Sequence, residues 1–270
     1  MNVVYPPKIL CQDFIKTLAT WRFGSVVLHG QDMAELFPDF SRRCTEPEIM
    51  DGDGYAPEEV RAAYADLRKV NRYLGGTRAL LRHLVPLMEA CTSRPVTILD
   101  VGAGSADIPQ AMVRAARLRG IDIRVVALDA SVHALAAARE NLRDFPEIHL
   151  VQARARSLPF AAGAFDFVVA SEFLHHLSTA EGATFLCELR RMARVAFVIN
   201  DLRRHPIPYH SFWVLSHLFT TNRIIRHDGL ISIRRGFTRE DLRELQRRSG
   251  LTNLSVHFHF PYRIVIVGST

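Results

Sequence analysis

Lysine is nearly absent from this chain: Lys8, Lys16 and Lys69 are its only instances, so almost all of the 34 basic residues are arginine. The net charge of +6 is modest, and the arginines are spread along the chain instead of forming a patch with aromatic platforms. That pattern speaks against a nucleic-acid partner. Cysteine is scarce as well. Cys11, Cys44, Cys91 and Cys187 form no C-x-x-C pair and have no histidine at ligand spacing. No metal is expected, and unpaired thiols fit a reducing compartment. No apolar run approaches the ~20 residues of a membrane-spanning helix. The opening MNVVYPPKILCQDF has prolines and charges where a signal peptide would carry its apolar core. Repeats and low-complexity tracts are missing too. A cytoplasmic protein without stable membrane insertion is the expectation.

What is present is ordinary globular composition, 48% hydrophobic and 23% charged over 270 residues. That is enough chain for one large α/β domain with additions. Residues 1–55 read as an N-terminal extension, with a short amphipathic helix at ILCQDFIKTLATW and a loop-like LFPDFSRRCTEPEIMDGDGYAP. From Glu58-Glu59 onward Val60, Tyr64, Leu67, Val70 and Leu74 recur at helical spacing, and after Gly75-Gly76 a second helix, TRALLRHLVPLMEAC, follows. Then strands and helices alternate. Strands are expected at Val96–Val101, Ile123–Leu128, Ile148–Val151, Phe165–Ala170 and Val195–Ile199, and helices at Pro109–Leu118, Val132–Leu142 and Ala180–Met192. Short apolar strands separated by helices predict a parallel sheet covered on both faces. Residues 202–236 break the rhythm and read as an aromatic- and histidine-rich helical insertion that caps the substrate side, in a domain spanning 56–270. Thr238 is a helix-capping candidate before TREDLRELQRRSG. NLSVHFHF and YRIVIVG, with only Pro261 between them, require an antiparallel pair.

The chemistry gathers at VTILDVGAGSADIP. Gly102 and Gly104 follow the first strand and let the backbone turn sharply against a ligand. The next strand ends in Asp129, whose carboxylate can accept the hydroxyls of an adenosine ribose. A dinucleotide fingerprint wants a third glycine where Asp107 stands, and it does not call for Asp100. Acids here suit a cationic ligand better than a diphosphate.

These residues resemble the class I S-adenosylmethionine-dependent methyltransferases, and the ubiquinone and menaquinone methyltransferase group among them. LDVGAGSADIP is similar to the family's first motif, and ALDASVHALAAAREN to its second. ARSLPF with FDFVVASEFLHHL is similar to the third and fourth. The resemblance spans about Thr97 to Gly268. It implies a seven-stranded, mostly parallel Rossmann-like sheet whose last strand is antiparallel, with helices on both faces. It also implies S-adenosylmethionine as cofactor, held by Asp100, Gly102, Ala103, Gly104, Asp129, Ala130, Ala155, Arg156 and Ser171. Where relatives often carry Gly-Asp-Ala for the adenine, this chain has Ala153-Arg154-Ala155, and arginine cannot accept a hydrogen bond.

Methyl transfer to a phenol or alcohol needs a base, for which histidine is suited. His227, next to Asp228 and Gly229, leads the candidates, followed by His210 and His176. Tyr209, Phe212, Trp213 and Asp201 are the candidate lining of an acceptor pocket. The predicted partner is a small aromatic or lipophilic acceptor of polyketide or quinone type, as in secondary metabolism, with O-methylation favoured over C-methylation. An NAD-dependent oxidoreductase and a non-catalytic binding protein on the same fold are the alternatives.

Overall fold

A computed structural model of the chain describes residues 38–52, 57–156 and 158–270. The amphipathic helix expected over residues 9–21, and Cys11, lie outside the described residues. The chain divides into two units, Met1–Arg42 and Arg43–Thr270. In the first, Ser41 N–H donates to Asp39 Oδ1 at 2.7 Å. The second unit holds the sheet.

Its strands are β1 (Val96–Val101), β2 (Ile123–Asp129), β3 (Ile148–Gln152), β4 (Phe165–Ser171), β5 (Ala193–Leu202), β6 (Leu254–His259) and β7 (Arg263–Ser269). They lie in the order β3-β2-β1-β4-β5-β7-β6. All are parallel except β7, which runs antiparallel between β5 and β6. The short connection at residues 260–262 leaves β6 and β7 no other arrangement. Each central strand is mostly apolar because both of its faces are largely buried. Successive side chains alternate between them. Val96, Ile98, Phe167 and Val169 join one core with Leu80, Leu84 and Met88. Leu99, Val101, Val168 and Ala170 join the other with Leu186, Leu189 and Leu242. Each large apolar side chain so buried contributes about 1.5–3 kcal/mol. Helices α1 (Pro57–Tyr73), α2 (Gly76–Ala90), α3 (Asp107–Arg117), α4 (Val132–Asn141) and α5 (Thr179–Met192) precede β5 in the chain. Helices α6 (Pro206–Phe219), α7 (Arg223–Arg235) and α8 (Arg239–Ser249) follow it. Thr238 caps α8 as expected, sharing a capping box with Asp241.

Residues 202–236 are helical as expected, and they form two regular helices. Pro206 opens α6 in its first turn, where a missing N–H costs nothing, and His205 accepts Ile207 N–H as its cap. Asn222 caps α7. Gly229 makes no turn. It lies inside α7, and a Cβ there would stand 2.2 Å from the Phe212 ring, so the glycine lets α6 and α7 pack closely.

On α2, His83 Nε2 lies 2.7 Å from His259 Nε2, and its ring is 4.3 Å from that of His257. Partial burial, then the neighbouring histidines, pushes His83 down to about 4. An unfolded histidine titrates near 6.5, so the unfolded state takes up the proton first as pH falls. The stability this neutral pair supplies is present above the unfolded value and is lost as pH drops toward 4. Urea unfolding of His83→Phe between pH 7 and 4.5 should show a flatter acid decline than wild type. A parallel decline would remove His83 as its source.

Candidate active site

The strand order reverses between β1 and β4, which opens a crevice at their carboxyl ends. The turn that lines it is held by backbone geometry. Gly102 and Gly104 have φ of 74° and 53°, and a Cβ on Gly102 would meet the Phe173 ring at 2.6 Å. Gly102 and Ala103 N–H both donate to Leu128 O, tying the turn to the end of β2. Asp129 accepts Gly104 N–H on Oδ2 and Ser131 N–H on Oδ1, each at 2.8 Å. Burial raises its carboxyl above the ordinary range against the pull of those donors. The Tyr64 ring of α1 lies 3.6 Å from where a Gly104 Cβ would stand, and its hydroxyl hydrogen-bonds with Ser131. Helix α1 thus places Tyr64 against the glycine turn.

Around this turn several buried polar atoms have no protein partner. Asp100 is 1% exposed, and its Oδ1 is unpaired. Burial first, then Asp107 and Asp129, pushes its carboxyl well above the usual range. Asn71 of α1 donates to Asp107 Oδ2 at 3.1 Å and leaves its own Oδ1 unpaired. Asn200 on β5 donates to Ser171 Oγ at 2.7 Å and also leaves Oδ1 unpaired. A buried acceptor without a donor costs about 1–3 kcal/mol. Three unpaired acceptors on the elements around this turn suit a ligand that is cationic and rich in N–H donors. Neither asparagine was picked out by sequence reasoning as a cofactor contact. Asn200 lies inside a strand pattern, and Asn71 only gains meaning once α1 folds over Asp107.

The remaining expected cofactor residues are divided. Ala103 is buried in the turn, and Ser171 ends β4 beside Asn200. Ala130 is exposed just past β2, and Ala155 is half-buried. Arg156 is exposed and pairs with Glu181 at 2.6 Å, at the start of α5. Arg154 is exposed, and Ala153 N–H donates to Asp129 O at 3.1 Å.

The candidate base and pocket residues lie next to a second polar cluster. His227 sits on α7 with Nδ1 2.8 Å from Asp228 Oδ1, and its side chain is 44% exposed. Asp228 is buried and also accepts Ile49 and Met50 N–H at 2.7 and 2.9 Å, so it anchors the segment before α1. His176 Nδ1 is 3.1 Å from Asp51 Oδ2. His210 stands edge-on to Tyr209, 5.3 Å between ring centres. Tyr209 and Phe212 are buried and Trp213 half-buried, whereas Val214, Leu215, Leu218 and Phe219 of α6 are exposed. Asp201, 1% exposed, is committed to His175: it lies 2.7 Å from Nδ1 and accepts the His175 N–H at 3.0 Å. Burial opposes both charges. Asp201 and Glu48 nevertheless push His175 up to about 10, and His175 in turn holds Asp201 below the carboxylate range.

Residues 98–196 match the family model described as a methyltransferase domain. An uncharacterized methyltransferase of Synechocystis sp. is 32% identical over 126 residues, covering 45% of this chain and 54% of that protein. A non-reducing polyketide synthase of Penicillium rubens is 24% identical over 161 residues, covering 57% of this chain and 6% of the synthase. This chain thus spans about half the length of the first relative, 54%. The crystal structure of an S-adenosylmethionine-dependent methyltransferase from Aquifex aeolicus is 16% identical with a TM-score of 0.53, covering 80% of this chain and 99% of that one. Over residues 98–196 the chain is thus similar to methyltransferase domains, and its seven-stranded sheet shares the Rossmann-like fold of that crystal structure.

Proposed function

We propose that this protein transfers a methyl group from S-adenosylmethionine to a small aromatic or lipophilic acceptor, with oxygen as the favoured accepting atom. The observation that carries the reading is the set of unpaired buried acceptors Asn71 Oδ1, Asp100 Oδ1 and Asn200 Oδ1 around the glycine turn. They fit a group with an ammonium and a sulfonium, while Asp129 fits its ribose hydroxyls. The NAD reading has no comparable support, since a diphosphate would meet Asp100 and Asp107. When bound, the cofactor supplies an electrophilic methyl. The chain's residues bind it, exclude water through α1 and Tyr64, and orient the acceptor; such positioning can carry much of the catalysis. The polyketide- or quinone-like nature of the acceptor draws on the aromatic α6 and on the similarity to a stretch of a polyketide synthase.

His227 is the base in this reading, because Asp228 holds Nδ1 and leaves Nε2 to take the acceptor proton. His227→Ala should lower kcat by more than about tenfold and leave cofactor affinity unchanged. A smaller loss removes the histidine from the mechanism, and loss of cofactor binding makes it structural.

Calorimetric titration of S-adenosylmethionine and, separately, NADH tests the reading as a whole. The Asp100 carboxyl is raised in the free protein, chiefly by burial, and an incoming cation stabilises its charged form. Binding therefore releases a proton, and affinity rises with pH through the raised value and falls below it. Titrations in two buffers of different ionisation enthalpy should show that release. Absent S-adenosylmethionine binding, with NADH bound, would make an oxidoreductase the better reading. Cofactor binding without turnover on a broad panel of phenols and quinones would leave a binding protein.

A further inference from the structure

Next to the methyltransferase crevice, Glu48, His175 and His176 bring a carboxylate and two imidazoles together, their ligand atoms within 4.8 Å of one another. His175 Nε2 lies 3.3 Å from Glu48 Oε1, and His176 Nε2 lies 3.9 Å from Glu48 Oε2. Both imidazoles turn Nε2 inward for the same reason: a carboxylate holds each Nδ1, Asp201 on His175 and Asp51 on His176. A carboxylate bound to Nδ1 fixes the tautomer and orients Nε2 as a ligand, and metal-binding histidines are characteristically held this way. The His175 side chain is 2% exposed and its unpaired Nε2 is aimed at Glu48 inside the cluster; an ion bound there takes the place of the ring proton that Asp201 and Glu48 otherwise hold. Ligand atoms about 2.0–2.2 Å from a shared ion must stand ~3.0–3.4 Å apart. The Glu48–His175 separation already satisfies this. The His176 side chain is 23% exposed, and its Nε2 would have to move closer to Glu48 to share the ion.

Charge agrees. Glu48, Asp51, Asp201 and Asp228 converge here, and Arg235 answers them from one side, 3.7 Å from Glu48 and 3.3 Å from Asp51. Ser232 Oγ donates to Glu48 Oε1 at 2.8 Å, which leaves Oε2 toward His176. We propose that Glu48, His175 and His176 form a site for one divalent transition-metal ion bound through two imidazole nitrogens and a carboxylate. Imidazole with carboxylate suits zinc, cobalt, iron or manganese over calcium or magnesium. The absence of a cysteine motif says nothing against such a site, whose ligands come from two distant segments. Partial exposure of His176 and Asp51 leaves room for further ligands on an ion bound there. A metal there can bind an acceptor oxygen and lower its pKa, work otherwise left to His227. The site itself does not depend on methyl transfer.

The test uses the tag-free full chain, stripped with EDTA and titrated with Co²⁺ while visible d–d absorption is recorded, with Zn²⁺ as competitor and metal content by mass spectrometry. The expected result is one Co²⁺ per chain, displaced by Zn²⁺. Glu48→Gln and His176→Ala should each weaken binding by at least about tenfold, and Asp51→Asn by about tenfold through its hold on His176. Circular dichroism establishes that each variant is folded. His83→Phe, which disrupts the separate histidine group on α2 and β6, should bind as wild type. No stoichiometric uptake by wild type overturns the proposal, as do folded Glu48 and His176 variants that bind normally, or binding lost only in His83→Phe. Cofactor calorimetry is unaffected by any of these results, so failure of the metal site and failure of the methyltransferase reading are separately visible.

Discussion

Asp129→Ala is expected to weaken S-adenosylmethionine binding about hundredfold, since two hydrogen bonds to a charged group contribute roughly 1.5–3 kcal/mol each. Two effects combine. The ribose loses its acceptor, and the Gly104 and Ser131 N–H groups lose the carboxylate that fixes the turn and the start of α4. Asp129→Asn separates them. Its amide oxygen keeps one of the backbone donors satisfied, while its NH₂ cannot accept from a hydroxyl. Intermediate weakening in Asp129→Asn, with a melting temperature near that of wild type, would assign most of the loss to the ribose. Equal affinity in wild type and Asp129→Ala would remove adenosine from the crevice and overturn the cofactor assignment. A melting temperature lowered equally in both variants, with affinity unchanged, would leave Asp129 a purely structural role.

Asp129 was legible in the sequence because its place follows from a local pattern: an apolar strand, an acid at its end, and a glycine turn after the strand before it. The sheet was legible for a similar reason. β1, β2, β4 and β5 are largely buried on both faces, so most of their residues had to be apolar or small and the runs stood out. Residues 202–236 were legible as a helical cap, though not as two separate helices. The prolines of PIPYHSFWVLSHLF sit in the first turn, where they are harmless, and apolar residues occupy every face of the helix, so no stripe marks it. The Glu48–His175–Asp201 chain was hidden for another reason. It links a segment without periodicity, a histidine in the middle of a 3₁₀ turn and a strand-end acid 26 residues further on, and only the folded sheet brings them together. Gly75-Gly76 read as a break between helices. Gly75, at φ 78°, is that break, whereas Gly76 has a distant cause, because a Cβ there would press within 3.2 Å of the Arg263 guanidinium.

That guanidinium carries the largest expected effect on stability. Arg263 is 2% exposed at the start of β7. Its Nε donates to Leu74 O at 3.1 Å, and its Nη1 pairs with Glu172 Oε1. Arg263→Met keeps much of the apolar stem but strands a carboxylate that is only 15% exposed, together with the last carbonyl of the α1–α2 junction. Breaking a buried pair from one side costs on the order of 3–5 kcal/mol, because the remaining charge is left without compensation. Glu172 also has φ of 54°, and this left-handed conformation is held in place by its neighbours. Next to it, Phe173 packs against Gly102, so the loss should reach the cofactor turn as well. Urea unfolding of Arg263→Met, Glu172→Gln and the double variant measures the pair directly. The double variant should be more stable than Arg263→Met alone, since it no longer buries a lone carboxylate. If Arg263→Met loses less than about 1 kcal/mol, the size of a minor surface change, or if the two losses simply add, the pair is not what joins the α1–α2 junction to β7.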